Sequence, residues 1–171
     1  SLKGFKDGLG DKGKAMIVSE TTYETSDPTV DSQILKLKAS GADMFVNFTT
    51  PKFAAQMIRR VYELNWKPQF FLANVAIWIS SVMEPAGVEK GIGIMSSAYV
   101  KDPMDPAWKD DSGLNRFLEF MGKYMPGMDH RDQNFVNGYN SAMVLEAVLR
   151  ACGDDFSTAN IMKQAQAIKD M

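Results

Sequence analysis

Thr49-Thr50-Pro51 follows an apolar run, 44–48, and opens an amphipathic helical pattern. In a parallel α/β layer, a helix starts at the carboxyl end of the strand before it, where ligands bind. Free backbone N–H groups and a partial positive charge at that point suit an anion. Two hydroxyls add hydrogen-bonding capacity. Pro51 fits the first helical position and removes one N–H from the cluster. A threonine that caps the helix for stability alone is the competing reading. A second group follows the next apolar run, 69–73: Asn74, Val75 and Ala76, with Trp78 just beyond. The Asn74 amide can both donate and accept. Hydroxyls, a neutral amide and an aromatic at one rim suit a small polar or aromatic carboxylate better than a metal or a nucleotide.

Residues that could make or break bonds are scarce. His130 stands between Asp129 and Arg131 in a polar stretch and reads as a solvated loop histidine, not a general base. Asp110-Asp111 and Asp154-Asp155 each precede a helical pattern, where acids favour the helix dipole. Asp102 and Asp105 have metal-ligand chemistry but no accompanying cluster. Gly91-Ile92-Gly93 lacks the third glycine and the following helix of a dinucleotide fingerprint. Cys152 is the single cysteine and reads as a small buried hydrophobe near a helix end. The twelve methionines read mostly as core filler. No catalytic residue, metal site or cofactor is expected.

The elements that must position the rim follow from periodicity. Residues 15–19 (AMIVS), 44–48, 69–73 and 91–97 (GIGIMSS) read as strands, and Leu2, Phe5 and Leu9 have helical spacing. Asp27-Pro28 is expected to start a helix carrying Val30, Ile34 and Leu37 and ending at Gly41. The next helix, from Pro51 to about Asn65, carries Phe53, Met57, Ile58, Val61 and Leu64 on one stripe. A shorter one is expected over 77–85. Strand starts are spaced by 29, 25 and 22 residues, the length of βαβ crossovers. Nearly continuous apolar strands imply a sheet covered on both faces. The fold expected for 1–98 is therefore α/β, a parallel sheet with flanking helices.

From residue 100 the pattern changes. A loop rich in charge and proline leads to three helical patterns without a clear strand. The first carries Leu114, Phe117, Leu118 and Met121. The second carries Phe135, Tyr139, Ala142, Met143, Ala147 and Val148. The third is capped by Ser157 and turns Ile161, Ala165 and Ile168 inward. A boundary is expected near 100–106.

The bulk numbers agree with a folded domain. The chain has 171 residues, with 45% hydrophobic and 23% charged. A net charge of −2 argues against a nucleic-acid partner, which needs a concentrated basic patch. No apolar run reaches the length of a membrane span. The chain begins inside a helical pattern with no signal peptide and stops at 168–171 without a stop signal. It is read as part of a longer protein.

Residues 27–43 (DPTVDSQILKLKASGAD), ending in L-K-x-S-G-A-D, resemble a segment of the branched-chain amino acid type of periplasmic binding proteins. The resemblance continues through Thr49-Thr50-Pro51, Ile58-Arg59-Arg60 and Asn65-Trp66-Lys67-Pro68, then 91–99 leading into Lys101-Asp102-Pro103, and later 108–121 (WKDDSGLNRFLEFM) and 137–153 (NGYNSAMVLEAVLRACG). It implies the type I periplasmic-binding-protein fold and the role of a periplasmic or extracellular receptor of an ABC importer. A signal peptide would lie upstream, and permease subunits would be the membrane partners. Residues 1–98 would form part of the second lobe. Residues 99–171 would form the crossover and helices belonging to the first. The ligand residues carried over are Thr49, Thr50, Phe53, Asn74, Val75 and Ala76. Amino-acid-binding members place an acid near Asn74 to pair with the α-ammonium; between Pro68 and Val82 this chain has none. An unpaired ammonium in a closed cleft is costly to desolvate. The resemblance therefore implies a small carboxylate, aromatic in preference to an ordinary α-amino acid. Two alternatives share the fold class: the sensor domain of a regulator or receptor, and an enzyme such as an amidase or reductase.

Overall fold

The computed structural model describes residues 2–169. The chain divides into two compact units, residues 1–99 and 100–171. The sequence readings made at Ser1 and at Asp170–Met171 lie outside the described residues.

The first unit is an α/β layer. Helix α1 (Leu2–Lys14) is followed by a loop, helix α2 (Asp31–Ala39), strand β1 (Met44–Asn47), helix α3 (Pro51–Glu63) and strand β2 (Gln69–Leu72). The strands pair in parallel, Met44 opposite Gln69 through Asn47 opposite Leu72. Their ladder runs from Gln69 N–H on the Asp43 carbonyl to Ala73 N–H on the Asn47 carbonyl, at 2.8 and 2.9 Å. The 3.6-residue stripe expected on α3 is the stripe that packs: Phe53, Met57, Ile58 and Val61 are buried, with Val30 and Ile34 of α2 and Phe45, Phe70 and Leu72 of the strands. Phe45 lies between Phe70 and Trp66, with ring centroids 4.6 and 5.4 Å away. Gly41 closes α2 in the left-handed region, at φ 75°, where only glycine is free of a Cβ clash.

Three expected elements differ. Residues 15–19 form a turn and an extended loop, not a strand; their backbone bonds are the local ones Met16 to Gly13 and Ile17 to Lys14. A strand exists only through a ladder partner, and among the described residues this segment has none. Its Met16 and Val18 are exposed. Residues 91–97 contribute one parallel bridge, Met95 opposite Phe71. Gly91 instead ends the 3₁₀ turn Val88–Gly91, and Gly93 adopts φ 89°, which breaks the extended run. Helix α2 starts at Asp31, not at Asp27-Pro28, because Asp27 and Thr29 spend their side chains on turns. The Asp27 carboxylate accepts Glu24 N–H at 2.9 Å, and the Thr29 hydroxyl accepts Asp31 N–H at 3.2 Å.

The sheet is covered on one face. Phe45, Asn47, Phe70 and Leu72 are buried, whereas Met44, Phe48 and Met95 of the opposite face are exposed. That face carries Phe5 of α1 edge-on to Phe48, centroids 5.8 Å apart.

The second unit is helical: a 3₁₀ turn (Pro106–Trp108), α5 (Ser112–Tyr124), α6 (Gln133–Cys152) and α7 (Thr158–Ala167). In the first unit a π-helical turn, Ile79–Met83, runs into the short helical turn α4, Glu84–Ala86. Leu114, Phe117, Met121 and Val136 make the small core. The paired acids serve helix starts, as their placement implied. Asp111 caps α5 through Leu114 N–H, and Asp155 accepts Ser157 N–H ahead of α7. Cys152 is buried at the end of α6. His130 is exposed in a turn. Ala142 and Ala165, expected inward, are exposed. Among the described residues, no helix is long and apolar enough to cross a membrane.

Candidate functional site

The parallel register decides where the two candidate loops lie. Asn47 and Leu72 are paired at the last position of the ladder, so residues 49–50 and 74–76 leave the sheet at one edge. Asn74–Ala76 is a 3₁₀ turn that starts directly after β2. Thr50 is the N-cap residue of α3, and Pro51 is its first residue.

Within that edge the six sequence-derived residues separate into three environments. Asn74 is half-buried and Val75 exposed; both line an open cavity of about 620 Å³ with Phe48, Phe71, Ser96 and Ser97. Among the described residues the Asn74 side chain has no hydrogen-bond partner. Thr50 is exposed. Thr49 is 6% exposed, and its Oγ1 is buried without a partner. Its N–H is held by the Asn47 Oδ1 at 2.9 Å, and Asn47 itself is buried. Phe53 and Ala76 face the core, at 2% and 0% exposure. They support the rim from beneath.

The helix start does not offer the open cluster of donors that its sequence implied. Neither threonine caps α3 with its side chain. Pro51 has no N–H. Phe53 N–H and Ala54 N–H both go to the Thr50 carbonyl, at 3.1 and 2.9 Å. Thr50 N–H goes to the hydroxyl of Tyr23 at 2.9 Å. Lys52 N–H is the first-turn donor left without a partner among the described residues.

Tyr23 is the residue that the sequence reading missed. Its hydroxyl also lies 3.5 Å from Thr50 Oγ1, and its ring packs on Phe53 with centroids 4.5 Å apart. It is 27 residues from Thr50, in a loop without periodicity, so no local pattern marks it. Lys52 was missed too. It places its ammonium 5.1 Å from the Phe53 ring and supplies a positive charge beside the Thr50 turn. Trp78 is half-buried and starts the π-helical turn, its carbonyl accepting Val82 and Met83 N–H.

Two carboxylates of the second unit are held below their ordinary range by a neighbouring cation. Asp129 is lowered to about 2 by its bonds to the Arg131 guanidinium and then to the Arg131 N–H. Asp111 is lowered, first by the Lys101 ammonium and next by Leu114 N–H. Among the described residues, no group of three or more His, Cys, Asp or Glu side chains could hold a metal ion.

A parallel α/β unit with hydroxyl, amide and aromatic groups at its carboxyl edge is a ligand-binding architecture. The family model for periplasmic binding proteins matches residues 1–171, and the chain belongs to that family. Among solved structures it is similar to a protein of Rhodopseudomonas palustris strain CGA009, with a TM-score of 0.67 and 23% identity. It is also similar to an extracellular ligand-binding receptor from Rhodopseudomonas palustris and to another from strain HaA2, each with a TM-score of 0.68 and 22% identity. Each match covers 94% of this chain and 46% of the other, so the chain spans about half the length of these structures. At this identity the likeness is one of fold. No curated protein matches the chain.

Proposed function

We propose that the protein acts as a periplasmic or extracellular solute receptor of an ABC importer, binding a small carboxylate and handing it unchanged to permease subunits. Residues 1–98 then belong to one lobe of the receptor, and residues 99–171 to the crossover and the other lobe. The observation that carries this reading is the shared edge. The Asn74 amide lines the open cavity with Phe48 and Phe71, and Thr50 and Lys52 begin the helix that leaves the same end of the two parallel strands. Donors and a cation favour an anionic head group, and the aromatic wall favours a ring. Between Pro68 and Val82 the chain has no acid to pair with an ammonium, so ordinary α-amino acids are disfavoured. Family membership and the printed descriptions of the similar structures support a receptor role. Titration calorimetry with leucine and with 4-hydroxycinnamate tests the reading. Heat is expected with the aromatic acid and not with leucine; tight leucine binding with no response to the acid would overturn it.

A further inference from the structure

The rim described above has a donor that is already taken. Thr50 N–H sits at the ligand edge, yet it donates to the Tyr23 hydroxyl at 2.9 Å. We propose that Tyr23 is a specificity-determining residue, a hydroxyl that holds the Thr50 backbone N–H until a carboxylate displaces it. This rests on the reading of the edge as the solute seat.

Three observations beyond the hydrogen bond carry the proposal. First, Tyr23 has two separable attachments. Its ring packs on the buried Phe53, whereas its hydroxyl is hydrogen-bonded, among the described residues, to Thr50 alone, so the hydroxyl bond can be exchanged while the ring stays packed. Second, the side-chain bonds that hold the loop bearing Tyr23 lie at the surface: Gln33 Nε2 reaches the Thr22 carbonyl at 3.3 Å, Lys36 Nζ the Glu20 carbonyl at 3.5 Å, and Lys6 Nζ pairs with the Glu20 carboxylate at 2.5 Å. Third, the adjoining Thr49 Oγ1 is enclosed without a partner, in a residue only 6% exposed. A polar atom left unsatisfied beside the turn is a group that a ligand-induced shift could satisfy.

The chemistry gives the direction of selection. A carboxylate accepts a hydrogen bond about twice as strongly as a neutral oxygen. It can therefore take Thr50 N–H from a phenol, and the Lys52 ammonium close by adds to that preference. A neutral amide or alcohol has no such advantage and leaves Tyr23 in place. Tyr23 thus filters for charge at a rim whose remaining groups would accept neutral ligands as well.

Heteronuclear NMR of the chain with sodium benzoate as probe, and benzamide as the neutral counterpart, tests this. In the wild type, benzoate is expected to move the Thr50 amide and the Tyr23 ring signals along one binding curve, and benzamide to leave the Tyr23 ring signals where they are. Tyr23→Phe keeps the ring and removes the competitor. It is expected to bind benzoate about fivefold more tightly, the size of one neutral hydrogen bond. If Thr50 moves and Tyr23 does not, or if Tyr23→Phe binds equally or less well, the latch is wrong while the seat stands. If benzoate moves neither Thr50 nor Asn74, the seat is wrong and the latch falls with it. The wild-type ring signal needs no variant, so a poorly folded Tyr23→Phe still leaves a decisive reading.

Discussion

Replacing Thr49 with valine should make the first unit more stable. Thr49 is 6% exposed, and its hydroxyl has no partner. Enclosing a hydroxyl without a hydrogen bond costs about 1–3 kcal/mol relative to a satisfied one. Valine has the same branched shape and the same rotamer restriction, so it fills the site without a cavity. Thr49→Val should therefore stabilise by about 1–2 kcal/mol. At a urea slope of about 2 kcal/mol per molar, the midpoint rises by roughly 0.5–1 M. The two units need not unfold together, so a whole-chain signal would blur the effect. Following the amide signals of Ile58 and Phe70, both buried in the first unit, isolates it. A midpoint that falls by 0.5 M or more would refute the reasoning. It would mean that the hydroxyl is bonded in solution.

Other perturbations have equally definite outcomes. Asn47→Ala removes the acceptor of the buried Thr49 N–H and should cost about 1–3 kcal/mol in the same melts, with Thr50 and Asn74 amide signals shifting together. Ile34→Ala, at a fully buried position of α2, should cost about 2–5 kcal/mol, a large fraction of the roughly 5–15 kcal/mol of a whole domain. Ser157→Ala removes the cap that accepts Asn160 N–H and should cost about 1 kcal/mol, read as faster amide exchange in the first turn of α7. Asp129 should titrate near pH 2, not near its ordinary 3.8, and Arg131→Gln should raise it part of the way back, because the residue 131 N–H still donates to it. The sign follows from linkage: a lowered folded pKa gives a contribution that is present above the unfolded value and is lost as the pH falls towards 2. A carboxyl carbon titration near 4 in the wild type would contradict the Arg131 contact.

Much of the architecture was legible because it is local. The α3 stripe, the Asp111 and Ser157 caps and the Gly41 stop each lie within one or two turns of their partners, which is the range that periodicity covers. The pairing of 44–47 with 69–72 was legible through a crossover of the right length. What stayed hidden was not local. Residues 15–19 have the composition of a strand, but pairing belongs to two segments, and this one finds no partner among the described residues. Phe53 carried two messages, an aromatic near the rim and a member of the buried stripe, and burial won because the stripe faces the sheet. Tyr23, half-buried, packs its ring on Phe53 and bonds Thr50 across 27 residues of sequence, a contact that no spacing rule reaches.

The most direct test is a crystal structure of the protein grown with 4-hydroxycinnamate. Intact acid with its carboxylate within hydrogen-bonding distance of Thr50 and Asn74, and its ring against Phe48 or Phe71, is the predicted result. Acid bound away from the edge where β1 and β2 end, or recovered as a reaction product, would contradict the account.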